Sequence, residues 1–155
     1  VIEENSIEIL GRPKLLSNLK MEEIKYIGNM METRNYNENE DIFEEGALGN
    51  EFFILLSGSV WVRKKDTLGK EHQLTVISCG ECFGEMALID EMPRSASVRA
   101  LEKTRAAVLA RSSFLKMKKD NINLYCHILE NIAVEFSGRL RSMDLKYVKL
   151  INMIF

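Results

Sequence analysis

The period of the apolar residues changes twice along this chain, and that change limits the fold more than any other feature. In residues 1–31 the stretch "KLLSNLKMEEIKYIGNMME" repeats Leu16, Leu19, Ile24, Ile27, Met30 and Met31 at near-helical spacing. Ser17 or Asn18 suits a cap there, and Glu22 and Glu23 suit the first turn of the helix that follows. From about 32 to 111 the runs become short, β-branched and aromatic. "EFFILLSGSVWVRK" sets Val60 and Val62 on one face and Trp61 on the other, with Gly58 as punctuation. "DIFEEGALGNE" is a loop between two strand-like runs, "DTLGKE" a hairpin turn around Gly69, and "HQLTVIS", "SASVRAL" and "TRAAVLA" are further strands.

From 112 to 155 the helical period returns. Ser112 and Ser113 are placed to cap a short helix, "FLKMKKDN". After Ile122 no proline intervenes, and Tyr125, Leu129, Ile132, Phe136, Leu140, Met143, Tyr147, Leu150 and Ile154 recur in steps of three and four. The spacing predicts one long amphipathic helix, broken at most near Gly138. Such a helix reaches about 50 Å, longer than a domain of this size is wide, so its own barrel cannot cover all of the seam. A parallel homodimer coiled coil fits it. The plainer alternative has 122–140 covering the barrel and the rest, ending in the apolar "KLINMIF", docking on another domain or partner. The three segments together make one domain: helices, an all-β sandwich or barrel, then a long helix.

Charge and cysteine narrow the function classes. Lys and Arg number 21 against 23 Asp and Glu, so no overall basic field invites nucleic acid. No apolar run approaches the length of a membrane span, and "VIEENSIEIL" lacks the basic start of a signal peptide. The sequence begins without Met, as a segment of a longer chain would. Cys79, Cys82 and Cys126 are odd in number, against a secreted disulfide framework and for a cytoplasmic setting. "CGEC" at 79–82 lacks the strand-to-helix setting of a redox pair, and His72 and His127 are too isolated to complete a zinc site. No triad, paired carboxylates or metal cluster points to an enzyme.

Residues 80–100, "GECFGEMALIDEMPRSASVRA", carry the recognisable chemistry. Gly84 ends a strand where the backbone must turn and approach something closely. "EMALID" suits one helical turn, whose first N–H groups, at Glu85, Met86 and Ala87, lack partners in the turn and invite an anion. Arg94, held after Pro93, offers a planar fork suited to a phosphodiester. Glu85 repels a phosphate and makes sense as acceptor for a sugar hydroxyl. One negative charge and one hydroxyl in a small cleft is the reading; a plain Glu85–Arg94 salt bridge across a loop is the alternative.

"FGEMALIDEMPRSASVRA" closely resembles the phosphate-binding cassette of cyclic nucleotide-binding domains, F-G-E-hydrophobic-A-L, a gap, then P-R-small-A-(S/T)-V. "EEGALGNEFFILLSGSVWV" is similar to the family's E-G-x-x-G-(D) stretch, and "LLSNLKMEEIKYIGNMMETRNYNENEDIF" looks like its N-terminal helices and first strand. The likeness spans roughly residues 13–140. It implies an eight-stranded jelly-roll barrel with flanking helices that binds cAMP or cGMP, without a metal. On that likeness Glu85 would accept from the ribose 2′-hydroxyl and Arg94 would pair with the cyclic phosphate. The N–H groups of Ala87 and Ser95 would donate to it, Gly84 would make room, and Ala96 would follow within the same motif. Met86, Leu88 and Val76 are candidates for the apolar wall around ribose and base, with core packing the alternative for each. Asn50 stands where many members carry an Asp that orients the arginine, and an amide brings no charge.

In the family a Thr after the arginine accompanies cGMP, while Ala or Ser is commoner in cAMP binders. Ser95 keeps the hydroxyl without the methyl, and the balance favours cAMP; one hydrogen bond discriminates by only about 1 kcal/mol. Occupancy would pass to the C-terminal helix and on to an effector that this sequence does not name. The resemblance also leaves room for a docking module with a degenerate pocket, or for the regulatory part of a larger transcription regulator or kinase.

Overall fold

The computed structural model describes residues 2–154. Eight strands are found among them: β1 (Glu32–Tyr36), β2 (Asp41–Phe43), β3 (Glu51–Ser57), β4 (Ser59–Lys65), β5 (Glu71–Ser78), β6 (Cys82–Phe83), β7 (Ser97–Ala100) and β8 (Thr104–Ala110). They form two antiparallel four-stranded sheets, ordered β1-β8-β3-β6 and β2-β7-β4-β5, the two halves of a jelly roll. Gly58 (φ +79°) and Gly69 (φ +80°) occupy left-handed backbone at the β3–β4 and β4–β5 turns.

Strand β3 explains why the sheet is coated by helices. Its central five residues are all buried, which a strand with one wet face would not allow. Alternation divides them: Phe53 and Leu55 enter the cluster between the sheets, with Val60, Phe83, Val98, Ala106 and Val108. Phe52, Ile54 and Leu56 face the other way, into a second cluster with Leu10, Ile27, Phe114, Leu124 and Ile128. Each face at about 25 cal/mol per Å² of apolar burial contributes to the core.

The N-terminal helical segment is more broken than its spacing suggests. It holds α1 (Ile7–Leu10) and α2 (Met21–Asn29), with single 3₁₀ turns at Glu4–Ser6 and Lys14–Leu16. Asn18 takes φ 62°, which a helix cannot pass through. The cap of α2 falls at Lys20, whose N–H donates to Glu23 Oε2 at 2.8 Å, not at Ser17 or Asn18. After α3 (Met86–Ile89) and the barrel come α4 (Arg111–Asp120) and α5 (Ile122–Ile154). Ser112 and Ser113 lie inside α4, which starts one residue after Ala110, because β8 runs directly into it.

Helix α5 passes Gly138 without a break, and a Cβ added there would meet nothing within 4 Å from outside its own turn of helix. Its barrel-facing line is Leu124, Ile128 and Ile132, rotated from the seam read in the sequence and sharing only Ile132 with it; Tyr125, Leu129 and Phe136 of the seam pack only partly against the core. Beyond Arg139 the helix leaves the barrel: Leu140, Met143, Tyr147 and Leu150 are more than half exposed. The Ile154 side chain and Phe155, at the end of the apolar "KLINMIF", lie outside the described residues. No helix among the described residues is long and apolar enough to cross a membrane.

Candidate functional site

A cavity of about 670 Å³ opens between the sheets' cassette end and the first half of α5, within the size range of small-molecule sites. Val76, Gly84, Glu85, Met86, Ala87, Arg94, Ser95 and Ala96 all line it. Leu88 does not. It is 2% exposed and belongs to the helical core cluster, because the short turn of α3 directs alternate sides to cavity and core. For Leu88 the packing alternative is the one the structure shows.

Arg94 is built in from several directions. Its N–H donates to Ala47 O at 2.8 Å and its carbonyl accepts from Gly46 N–H at 2.9 Å, while Pro93 bridges to Leu48. The guanidinium carbon lies 4.0 Å from the Phe43 ring centroid and 5.7 Å from that of Phe53. Glycines make the channel: a Cβ at Gly49 would collide with Arg94 Nε, and one at Gly84 would stand 2.9 Å from Nη1. Nη2 donates to the main-chain oxygen of Glu51 at 3.0 Å. Nε is buried without a partner. Burial lowers the Arg94 pKa, against the raising charges of Glu51 and Glu85.

Glu85 is not paired with Arg94. Its carboxylate Oε1 accepts from Nη1 of Arg139, on α5. The Glu85 side chain is 5% exposed and that of Arg139 50%. Burial pulls the Arg139 pKa down, but the charge and hydrogen bond of Glu85 outweigh it, and the net direction is up. Arg139 also reaches Glu135 Oε1 at 3.5 Å one turn earlier, and Glu135 Oε2 is buried with no partner.

The turn of α3 is tighter than a helix start with three free donors. The N–H of Ala87 donates to Gly84 O at 3.1 Å, so that donor is taken up within the turn. Ser95 stands exposed at the rim, its Oγ 3.9 Å from Met86 Sδ and its carbonyl accepting from Lys64 Nζ at 2.7 Å. Ala87 and Ala96 are buried small residues, whereas Val76 and Met86 keep about two-fifths of their surface open. Asn50 is exposed, and its main-chain oxygen accepts from Arg111 N–H at 2.7 Å; Arg94 turns to the next residue's carbonyl instead.

Arg139 and Glu135 were absent from the sequence reading of the site. A signal for them exists: continuing the line Leu124, Ile128, Ile132 by helical steps leads to Glu135 and Arg139, charges on the face that meets the barrel. Arg12, which also borders the cavity beside Gly80, has no such signal in its turn. Cys79, Cys82 and Cys126 are free thiols. Burial first, then the charges of Glu85 and Glu135, push the Cys82 thiol well up.

The profile of the family described as the cyclic nucleotide-binding domain matches residues 33–121. The chain is 35% identical over 136 residues to the cyclic AMP receptor protein of Thermus thermophilus, covering 88% of this chain and 61% of that one. It is 36% identical over 110 residues to a cAMP-dependent protein kinase regulatory subunit of Debaryomyces hansenii, covering 71% of this chain and 24% of the relative. The crystal structure of the Thermus thermophilus catabolite activator protein superposes with a TM-score of 0.80 at 34% identity, over 88% of this chain and 62% of that one. The chain thus spans less than two thirds of these relatives' lengths.

Proposed function

The chain belongs to the cyclic nucleotide-binding domain family, and from that premise we propose that it is a sensor that binds cAMP in preference to cGMP and reports occupancy through α5. A cyclic nucleotide-binding regulatory role is what the family and its relatives support; the choice of nucleotide, the site residues and the output are this proposal. One observation carries it. Arg94 is a buried guanidinium with an orphaned Nε and a single neutral acceptor, held at a cavity that the buried carboxylate of Glu85 also lines. A buried cation so poorly paired is costly unless an anion completes it.

In this reading the cyclic phosphate pairs with Arg94, at the rim formed by Ser95 and Ala96. Glu85 takes the ribose 2′-hydroxyl, and Val76 and Met86 flank the base. The donor assigned to Ala87 becomes available only if the α3 turn opens from its bond to Gly84. The relatives' names favour cAMP, and Ser95 tolerates either purine. Segments 1–31, 32–111 and 112–155 act as one regulatory domain without catalysis of its own. Two copies pair through the exposed stripe of α5, and an effector reads that helix.

Calorimetric titration tests the reading. cAMP binds folded protein with micromolar or tighter affinity, cGMP binds more weakly, and Arg94→Ala loses at least about thirtyfold. No heat from either nucleotide with folded protein overturns it. Sedimentation tests the pairing: a dimer at micromolar concentration supports it, and a monomer at high micromolar removes it. A ligand-independent docking module with Glu85 and Arg94 locked on each other is not favoured, because Glu85 pairs with Arg139.

A further inference from the structure

Three arginines border the cavity, and two of them are committed. Arg94 sits over Phe43 and near Phe53 at the cassette end, and Arg139 pairs with Glu85. Arg12 makes no side-chain hydrogen bond or ion pair among the described residues. Its side chain lies flat across Gly80, at the β5–β6 turn. A Cβ at that glycine would stand 2.8 Å from Arg12 Cδ, 3.5 Å from its Cβ and 3.7 Å from Nη1. Glu81, next on the same turn, already accepts from the N–H of Ser78 at 2.7 Å. The backbone under Arg12 is pinned, because Pro13, Leu15 and Leu16 are buried. Asn131 on α5 also donates from Nδ2 to the carbonyls of Leu15 and Ser17, at 3.1 and 3.0 Å. A planar cation without a partner, on a fixed backbone, can move its side chain alone.

The cavity gives that group a task. Its lining aromatics among the described residues, Phe43 and Phe83, belong with Phe53 to one packed trio beside Arg94. Val62, Val76 and Ile77 of β4 and β5 offer an apolar wall to one face of a planar base, and no ring stands by for the other face. We propose that Arg12 covers the base of the bound nucleotide and sets the preference for a purine over a pyrimidine. The proposal rests on the cyclic-nucleotide reading above and adds to it a specificity-determining residue from the N-terminal segment. A guanidinium stacks on a ring face where an ammonium supplies only a point charge. A two-ring purine offers it more face than a pyrimidine does. Arg12 leaves Gly80 for the base without breaking any bond within the protein.

The test compares cAMP with cUMP, which carries the same ribose and cyclic phosphate on a smaller ring. Arg12→Ala weakens cAMP by roughly threefold to tenfold and cUMP by less, so the purine preference shrinks. Arg12→Trp, which restores a planar face without the charge, recovers cAMP binding. Arg12→Lys, which keeps the charge without the plane, does not. Arg141→Ala, on the exposed part of α5, changes neither nucleotide, and thermal melts establish that each variant is folded. If Arg12→Ala leaves both affinities at the wild-type value, Arg12 is a surface cation and the proposal is wrong. If it weakens both alike and Arg12→Lys restores them, Arg12 acts on the phosphate by charge, and the proposal is again wrong. Wild-type protein that binds neither nucleotide overturns the functional reading itself, and the cover with it.

Discussion

The main-chain oxygen of Glu51 accepts a hydrogen bond from Arg94 Nη2 at 3.0 Å, while the carboxylate of the same Glu51 turns away to Arg34. Arg34 holds it in a two-pronged bond, at 2.6 and 3.0 Å. The nearest acid on the strand is thereby committed elsewhere. Arg94 keeps its charge with a carbonyl dipole and two aromatic faces for company, an arrangement that leaves the guanidinium open to an anion.

Two glycines around that side chain respond differently to a methyl group. At Gly49 the three heavy atoms nearest an added Cβ all belong to the Arg94 side chain, so it is the guanidinium that must shift. Gly49→Ala therefore leaves the melting temperature nearly unchanged and weakens cAMP binding by about tenfold or more through a displaced guanidinium. At Gly84 the backbone has φ +78° and the Cβ also meets the Glu51 carbonyl at 3.0 Å. Gly84→Ala destabilises the fold by about 1–3 kcal/mol as well as reducing binding. Paired melts and titrations read the contrast.

Leu88 separates core from cavity wall. Leu88→Ala costs about 2–5 kcal/mol of stability in chemical denaturation, because the side chain is fully enclosed by the helical cluster. The folded fraction keeps the wild-type affinity for cAMP. A weakened affinity in fully folded protein would return Leu88 to the wall.

Asp41 on β2 ties two arginines from neighbouring strands, Arg63 on β4 and Arg99 on β7, at 2.7 Å each. The Arg99 hydrogen bond, opposed by burial and helped by Arg63, holds its carboxyl below the usual 3.8. The folded protein therefore favours the ionised form more than the unfolded chain does. That stabilisation is complete above the unfolded value and is lost as pH falls from about 3.8 through the lower folded value. Asp41→Asn lowers stability at neutral pH by about 1–3 kcal/mol and flattens the pH profile in that acidic window. Denaturation midpoints across pH 2–6 check the sign.

The thiols differ in reach. Cys79 and Cys126 are exposed, whereas burial raises the Cys82 thiol beside Glu85 and Glu135. A chromogenic thiol reagent at pH 8 titrates two groups quickly in native protein and the third only on unfolding. Three fast groups would show that Cys82 is open to solvent.

Much of this protein was written locally. Short β-branched runs with glycine between them specify strands and turns through backbone sterics and a two-residue side-chain period, both properties of neighbours in sequence. The cassette was legible for the same reason, since Gly84, Glu85 and Arg94 lie within eleven residues, and Gly49 and Phe43 sit in the loop and strand that the same motif pattern marks. The partner of Glu85 was not. Arg139 lies 54 residues away, and only the packing of Leu124, Ile128 and Ile132 onto the barrel sets the rotation of α5 that aims it inward. Side chains on a helix repeat every 3.6 residues whichever way the helix is turned, so sequence spacing names a stripe but cannot say what the stripe faces. The same cause separated Leu88 from its cavity-lining neighbours: one short turn sends adjacent residues to opposite sides, and the tertiary structure decides which side is core.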